Sequence, residues 1–284
     1  MTEGSTAANV KAPPILEMRD VWKHFGGIHA VAGATFSIPQ GSITALIGPN
    51  GAGKTTLFNV VTGFYRADRG AIVYDGDSVF GKSPHAIARL GMVRTFQITK
   101  ALAAMPVIDN MMLAAPGQPG ERLPLLIARP MASRRREAEV REQALELLST
   151  FDLDRKADDY AGTLSGGQRK LLELARALMA RPRMVLLDEP MAGINPTLGR
   201  RLLEHMQDLR ANQGVTFLFV EHDMDVVMNH SDEIVVMAQG KVIVQGPPDE
   251  VRSDQRVIDA YLGDAVADGT GGNGSAPGGE AGGS

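Results

Sequence analysis

Cysteine is absent from this chain of 284 residues, and aromatics are few: one Trp, four Tyr and nine Phe. Without cysteine there are no disulfide bonds and no thiolate metal ligands, which fits a reducing compartment. Also missing is any apolar run near the ~20 residues that a membrane-spanning helix needs. Residues 1–14 are Ala-, Thr- and Pro-containing with no apolar segment, so they read as a disordered leader and not as a secretion signal. Neither charge sign dominates: 29 Lys and Arg against 33 Asp and Glu leave a net charge of −4. That balance offers no polyanion-binding surface, and the expectation is no nucleic-acid partner. Arg134-Arg135-Arg136 opens a Glu-rich helical stretch and reads as a solvated face. What remains is an ordinary globular composition, 44% apolar and 22% charged, long enough to bury a sizeable core.

The segment Gly48-Pro49-Asn50-Gly51-Ala52-Gly53-Lys54-Thr55-Thr56 satisfies G-x-x-x-x-G-K-[ST]. It follows the apolar β-type run Ile43–Ile47 and precedes a helix-compatible segment, Thr55–Val61. That strand–loop–helix context separates a phosphate-binding loop from a glycine-rich turn that caps a helix. The glycines let consecutive backbone N–H groups converge on an anion, and the helix adds the positive end of its dipole. In such a loop Lys54 reaches the β- and γ-phosphates and the Thr55 hydroxyl holds Mg²⁺.

Strands are expected at Ile15–Val21, Ala34–Ile38, Gly70–Asp75 and Met92–Phe96, where apolar and β-branched residues lie between turn residues. Ser83-Pro84 opens a helix to about Leu90, since proline suits the first helical turn. From Ile98 to about Leu164 the text turns helical. Pro116–Gly120 is a loop there, and Ser133 can cap a helix carrying Val140, Ala144, Leu147, Leu148 and Phe151 at helical spacing. Alternation of strand and helix then resumes. A helix is expected over 165–180, strands at Met184–Leu187, Val215–Val220, Ile234–Met237 and Gly240–Val244, and helices over 196–212 and 254–262. Beyond Gly263 the chain is Gly, Ala, Asp and Ser with little to bury, the composition of a disordered tail over 264–284.

Met184–Leu187 delivers Asp188 and Glu189 at its C-terminal end, the end of an α/β sheet where ligands bind. One carboxylate can hold the water shell of Mg²⁺ and the next can take a proton from an attacking water. A strand that simply ends in a polar turn would look the same. Upstream, Leu164-Ser165-Gly166-Gly167-Gln168 places small residues at a helix start, which exposes backbone N–H groups as a second anion site. Read alone, Ser165 is a helix cap and the glycines are a turn.

Together these segments resemble the ATP-binding-cassette (ABC) ATPases, and Leu164–Gln168 is similar to that family's signature sequence. The resemblance runs from Ile15 to about Gly263. It implies an α/β P-loop NTPase fold with a mixed core sheet, an N-terminal antiparallel β subdomain and an inserted α-helical subdomain. The core would comprise 15–97 and 165–263, and the helical lobe 98–164. The resemblance also implies that Phe25 stacks on adenine, that Gln97 senses Mg²⁺ and nucleotide state, and that His222 contacts the γ-phosphate. Ala192-Gly193-Ile194-Asn195-Pro196 matches the D-loop, where many members carry Asp in place of Asn195.

The family sandwiches ATP between the P-loop of one subunit and the signature of another. The expectation is therefore a dimer, with itself or with a second cassette, in which Glu189 polarises water and the opposing Ser165 and Gly167 complement charge. Phe25-Gly26-Gly27, Gly63-Phe64-Tyr65, Arg94–Gln97 and Val257–Gly263 resemble the cassettes of branched-chain-amino-acid-type importers. That likeness implies permease partners, indirectly a substrate-binding protein, and a place on the cytoplasmic face of the membrane. Urea, short amides and lipid export stay open as cargo alternatives. A non-transport ABC ATPase usually carries two cassettes or long coiled coils, and neither is present. A gated binding subunit with little hydrolysis is opposed by the presence of Glu189 and His222.

Overall fold

The computed structural model describes residues 13–95, 103–116 and 130–261, with no side-chain detail for 130–133. Expectations for residues 1–12, Phe96, Gln97, residues 117–120 and the tail from Leu262 onward lie outside the described residues.

Six strands form the central sheet in the order β10(Lys241–Gly246)-β9(Glu233–Ala238)-β3(Ile43–Ile47)-β8(Thr216–Val220)-β7(Met184–Asp188)-β6(Met92–Arg94). Only the β10–β9 pair is antiparallel; the other pairs are parallel. Strands covered on both faces are apolar along nearly their whole length, and β3 (Ile-Thr-Ala-Leu-Ile) is buried throughout, its one polar side chain, Thr44, paired with the Ser42 hydroxyl. Its alternation sorts two cores. Ile43, Ala45 and Ile47 join one cluster with Val185, Leu187, Phe217 and Phe219, and Leu46 joins the other with Leu186, Leu218 and Val220.

The first cluster is closed by helices α3(Val107–Ala114), α4(Pro130–Thr150), α5(Gly166–Leu178) and α6(Pro196–Gln213), through residues such as Met111, Leu148, Leu174 and Met206. The second is closed by α1(Lys54–Val61) and by an antiparallel four-stranded sheet, β2(Ile28–Pro39)-β1(Pro14–Phe25)-β4(Arg69–Tyr74)-β5(Asp77–Ser78). Shorter helices are α2(Pro84–Arg89), α7(Met224–His230) and α8(Pro248–Ser253), and residues 255–261 are also helical. Truncating Phe217 or Phe219, both fully buried, should cost about 3–5 kcal/mol because each removes a ring shared by neighbouring strands.

Three local expectations change. β1 and β2 each run to 12 residues, joined at Gly26-Gly27, well beyond the segments read from alternation. Asp20 at φ 49° and register shifts near Val21 break the two-residue period, so the pattern hides the strand's continuation. The helix expected to start at Ser133 already includes Pro130, so Ser133 lies within it and is not its cap. Strand β6 ends at Arg94, short of Phe96.

Candidate nucleotide site

At the end of β3 the loop turns so tightly that two glycines are required. A Cβ on Gly48 would lie 2.1 Å from the Met237 carbonyl oxygen, and one on Gly53 would lie 2.2 Å from that of Ala30. Positive φ at Gly51 and Gly53, on either side of Ala52, gives the alternating backbone of an anion nest. Gly53 caps α1 without any side-chain hydrogen bond, so no capping side chain occupies the first-turn amides. Lys54 folds back over the loop, its Nζ donating to the Gly48 carbonyl at 2.6 Å and to that of Pro49 at 2.9 Å. Asn50, Gly51 and Thr55 are exposed, Ala52 is buried, and Pro49 and Thr56 are half-buried. A loop of converging amides with an ammonium at its centre is built to take a polyphosphate.

Register brings the next groups to the same edge. Leu46 pairs with Val220, and Val220 pairs with Asp188, so one row crosses β3, β8 and β7. At roughly 4.8 Å per strand, Asp188 stands about 10 Å across the sheet from the phosphate-loop strand. Asp188 accepts from Arg94 Nη2 at 2.7 Å, while Arg94 Nη1 donates to Asn59 Oδ1 at 2.6 Å. Glu189 is exposed and sits at φ 47°, in the left-handed region that non-glycine residues avoid. Its N–H donates to the Val220 carbonyl at 3.1 Å. His222 follows β8 by two residues, with 73% of its side chain exposed. At the far end of β1, Phe25 is 45% exposed and meets Tyr65 edge-on, ring centroids 5.2 Å apart.

Ser165 N-caps α5. Its Oγ accepts the Gln168 N–H at 3.2 Å and Gln168 Oε1 accepts the Ser165 N–H at 3.0 Å, a reciprocal capping box. Ser165 and Gly166 face outward, whereas Gly167 is buried. A Cβ on Gly167 would lie 2.5 Å from Leu198 Cδ1, so the glycine lets α5 and α6 approach closely. Asn195 N-caps α6, its Oδ1 accepting from the Leu198 N–H at 2.9 Å. Asp and Asn cap almost equally well, so Asn195 loses no helix-starting ability relative to Asp.

The family model described as "ABC transporter" matches residues 31–192. The chain belongs to the ABC transporter ATP-binding-cassette family. A second model, "Branched-chain amino acid ATP-binding cassette transporter", matches residues 241–267. The chain is 43% identical over 251 residues to a probable branched-chain amino acid transport ATP-binding protein LivG of Archaeoglobus fulgidus, covering 88% of this chain and 95% of that one. It is 42% identical over 252 residues to the high-affinity branched-chain amino acid transport ATP-binding protein BraF of Pseudomonas aeruginosa, covering 89% and 99%. A solved ATP-binding cassette of an ABC transporter in its ADP conformation superposes with a TM-score of 0.77 at 37% identity, covering 89% of this chain and all of that one.

This cassette is thus an ATPase subunit of a transporter, a membrane-associated class. Among its described residues no helix is long and apolar enough to cross a bilayer. The structure adds three residues that the motifs did not single out for the site. Arg94 holds Asp188. Glu221 lies buried beneath His222 and accepts the Met191 N–H at 2.8 Å. Tyr261, within the subgroup-like segment Val257–Gly263, is turned toward the phosphate loop: burial pushes its phenol up, and the Gly48 amide directed at it pulls the other way.

Proposed function

We propose that this cassette drives import of branched-chain amino acids, holding MgATP between its own Gly48–Thr56 loop and the Ser165–Gln168 helix end of a second cassette. The observation that carries the reading is the shared row Leu46–Val220–Asp188, from which the phosphate loop, His222 and Glu189 all emerge at one sheet edge. The relatives' names and the C-terminal family match supply the cargo class.

In this reading the amides of Gly51–Thr56 and Lys54 Nζ bind the β- and γ-phosphates, and Phe25 stacks on adenine. Lys54 leaves the Gly48 and Pro49 carbonyls to do so. Glu189 orients the attacking water and takes its proton, and His222 holds the γ-phosphate. Ser165 donates from its hydroxyl, with Gly166, Gly167 and Gln168, across the dimer to the partner's nucleotide. The donors fit Mg²⁺, a hard cation that prefers oxygen and keeps several waters: the Thr55 hydroxyl and Asp188, with Gln97, would hold it. No acidic or histidine cage occurs among the described residues, and this ion needs none. When bound, it neutralises charge on the β- and γ-phosphate oxygens.

The residues 98–164 act as a helical lobe between the core segments 15–97 and 165–263, and transmit dimer closure to a permease docked near Gln97. A solute-binding protein acts upstream, and the cassette sits on the cytoplasmic face. Transport by the full complex in vesicles tests the cargo. ATP-dependent uptake of leucine, isoleucine and valine is expected; uptake of urea or short amides in their place would overturn it.

A further inference from the structure

Glu221 has only 2% of its surface exposed. A carboxylate taken out of water is costly unless its oxygens are fully used, so its partners indicate what it is kept for. One partner lies in another segment of the chain and the other is the next residue. Oε1 accepts the Met191 backbone N–H at 2.8 Å, and Oε2 accepts the His222 backbone N–H at 3.3 Å. His222 Nδ1 stands 3.9 Å from the same Oε2.

Met191 is the third residue of the turn that leads from Glu189 toward Asn195, closed by Ala192 N–H to the Glu189 carbonyl at 3.1 Å. Glu189 itself is held at φ 47°, and such a conformation persists only where its surroundings over-determine it. On one side it is fixed by its bond to Val220; on the other the chain is pinned at Met191 by Glu221. The sheet alone aligns only the ends of β7 and β8. The loops beyond those ends are joined by this carboxylate.

We infer that Glu221 is a positioning residue for ATP hydrolysis, tying the turn that carries Glu189 to His222 so that the two keep one relative geometry and move together. The inference rests on the roles proposed above for Glu189 and His222. Glutamine at 221 offers one acceptor oxygen and so can keep one tether; alanine keeps neither.

The test is steady-state ATP hydrolysis by the full-length chain, unsubstituted and as Glu221→Ala and Glu221→Gln, with nucleotide affinity measured alongside. Glu221→Ala should lower kcat on the order of 10²-fold, the scale of an ångström-sized misplacement. KM for ATP should stay within about twofold, since the phosphate loop is untouched. Glu221→Gln should lose less than Glu221→Ala. An unaltered kcat in Glu221→Ala, or equal loss of kcat and nucleotide affinity in both variants, overturns the inference. If Glu221→Ala does not fold, hydrogen exchange in Glu221→Gln decides: at least one of the Met191 and His222 amides should exchange faster, and unchanged exchange at both overturns it. Failure of the unsubstituted chain to bind or hydrolyse ATP would instead count against the proposed site roles.

Discussion

The phosphate loop and the signature helix end are both built from small residues, yet they are stabilised in opposite ways. Gly48 and Gly53 are wedged against the backbones of Met237 and Ala30, and the loop is rooted in a strand with two parallel neighbours. Long-range packing sets its shape. Ser165–Gln168, by contrast, is satisfied within its own first turn by the capping box and presents Ser165 and Gly166 outward. One end is finished inside the chain; the other is a finished helix start offered to something else. On the reading proposed above, a single copy supplies two half-sites, and damage to each can be told apart by mixing variants.

The largest expected effect lies across the sheet from the rooted end, at the carboxylate that follows β7. Glu189→Gln should retain nucleotide affinity and lose turnover by about 10²–10⁴-fold, the usual worth of a general base; phosphate release and calorimetry together check it. Lys54→Ala should instead weaken affinity itself by roughly 10–100-fold, the scale of losing a charged hydrogen-bonding group. Equal affinity would count against the loop as a phosphate cradle.

Mixing sharpens the contrast between the two ends. Lys54→Ala chains and Ser165→Arg chains should each be nearly inactive, whereas a one-to-one mixture of a symmetric dimer should recover roughly a quarter of the original rate. A mixture as inactive as its parts would assign the facing helix end to a different cassette chain. Phe25→Ala should cost about tenfold in ATP affinity, the lower range for aromatic stacking on a base, and a competition assay reads this directly.

The smallest effect concerns stability. Burial pushes the Glu221 carboxyl above its ordinary value, outweighing the pull of the Met191 and His222 amides and the nearby imidazole, while Glu189 pushes the same way as burial. A carboxyl raised by folding favours the native state below its unfolded pKa and loses that contribution as pH rises through the native value. Glu221→Gln cannot ionise. Its thermal midpoint should therefore gain on that of the unsubstituted chain as pH rises above the ordinary carboxylate range.

Much of this was legible because it is local. The P-loop, the Ser165 cap and the Asp188-Glu189 pair are contiguous motifs, and an alternating or continuous apolar pattern marks the strands that carry them. What sequence reading missed involves groups far apart in the chain. Arg94 meets Asp188 only because β6 lies beside β7, and Glu221 reaches Met191 only because β8 lies on β7's other side. Tyr261 belongs to a subgroup-like segment, but nothing in its spacing points to Gly48. The second half of β1 was lost to a bulge at Asp20, a break in period that looks like a strand end.

The left-handed backbone at Glu189 has a consequence for anyone altering this position. Keeping a side chain there holds about 1–3 kcal/mol of conformational strain in the native loop. Glycine would release that tension while deleting the carboxylate, so a Glu189→Gly chain should be idle yet sturdier than its parent. Valine or isoleucine, branched at Cβ, would crowd the same backbone further. An inactive version meant to trap the closed state is better made with glutamine, which preserves the loop's shape along with its stress.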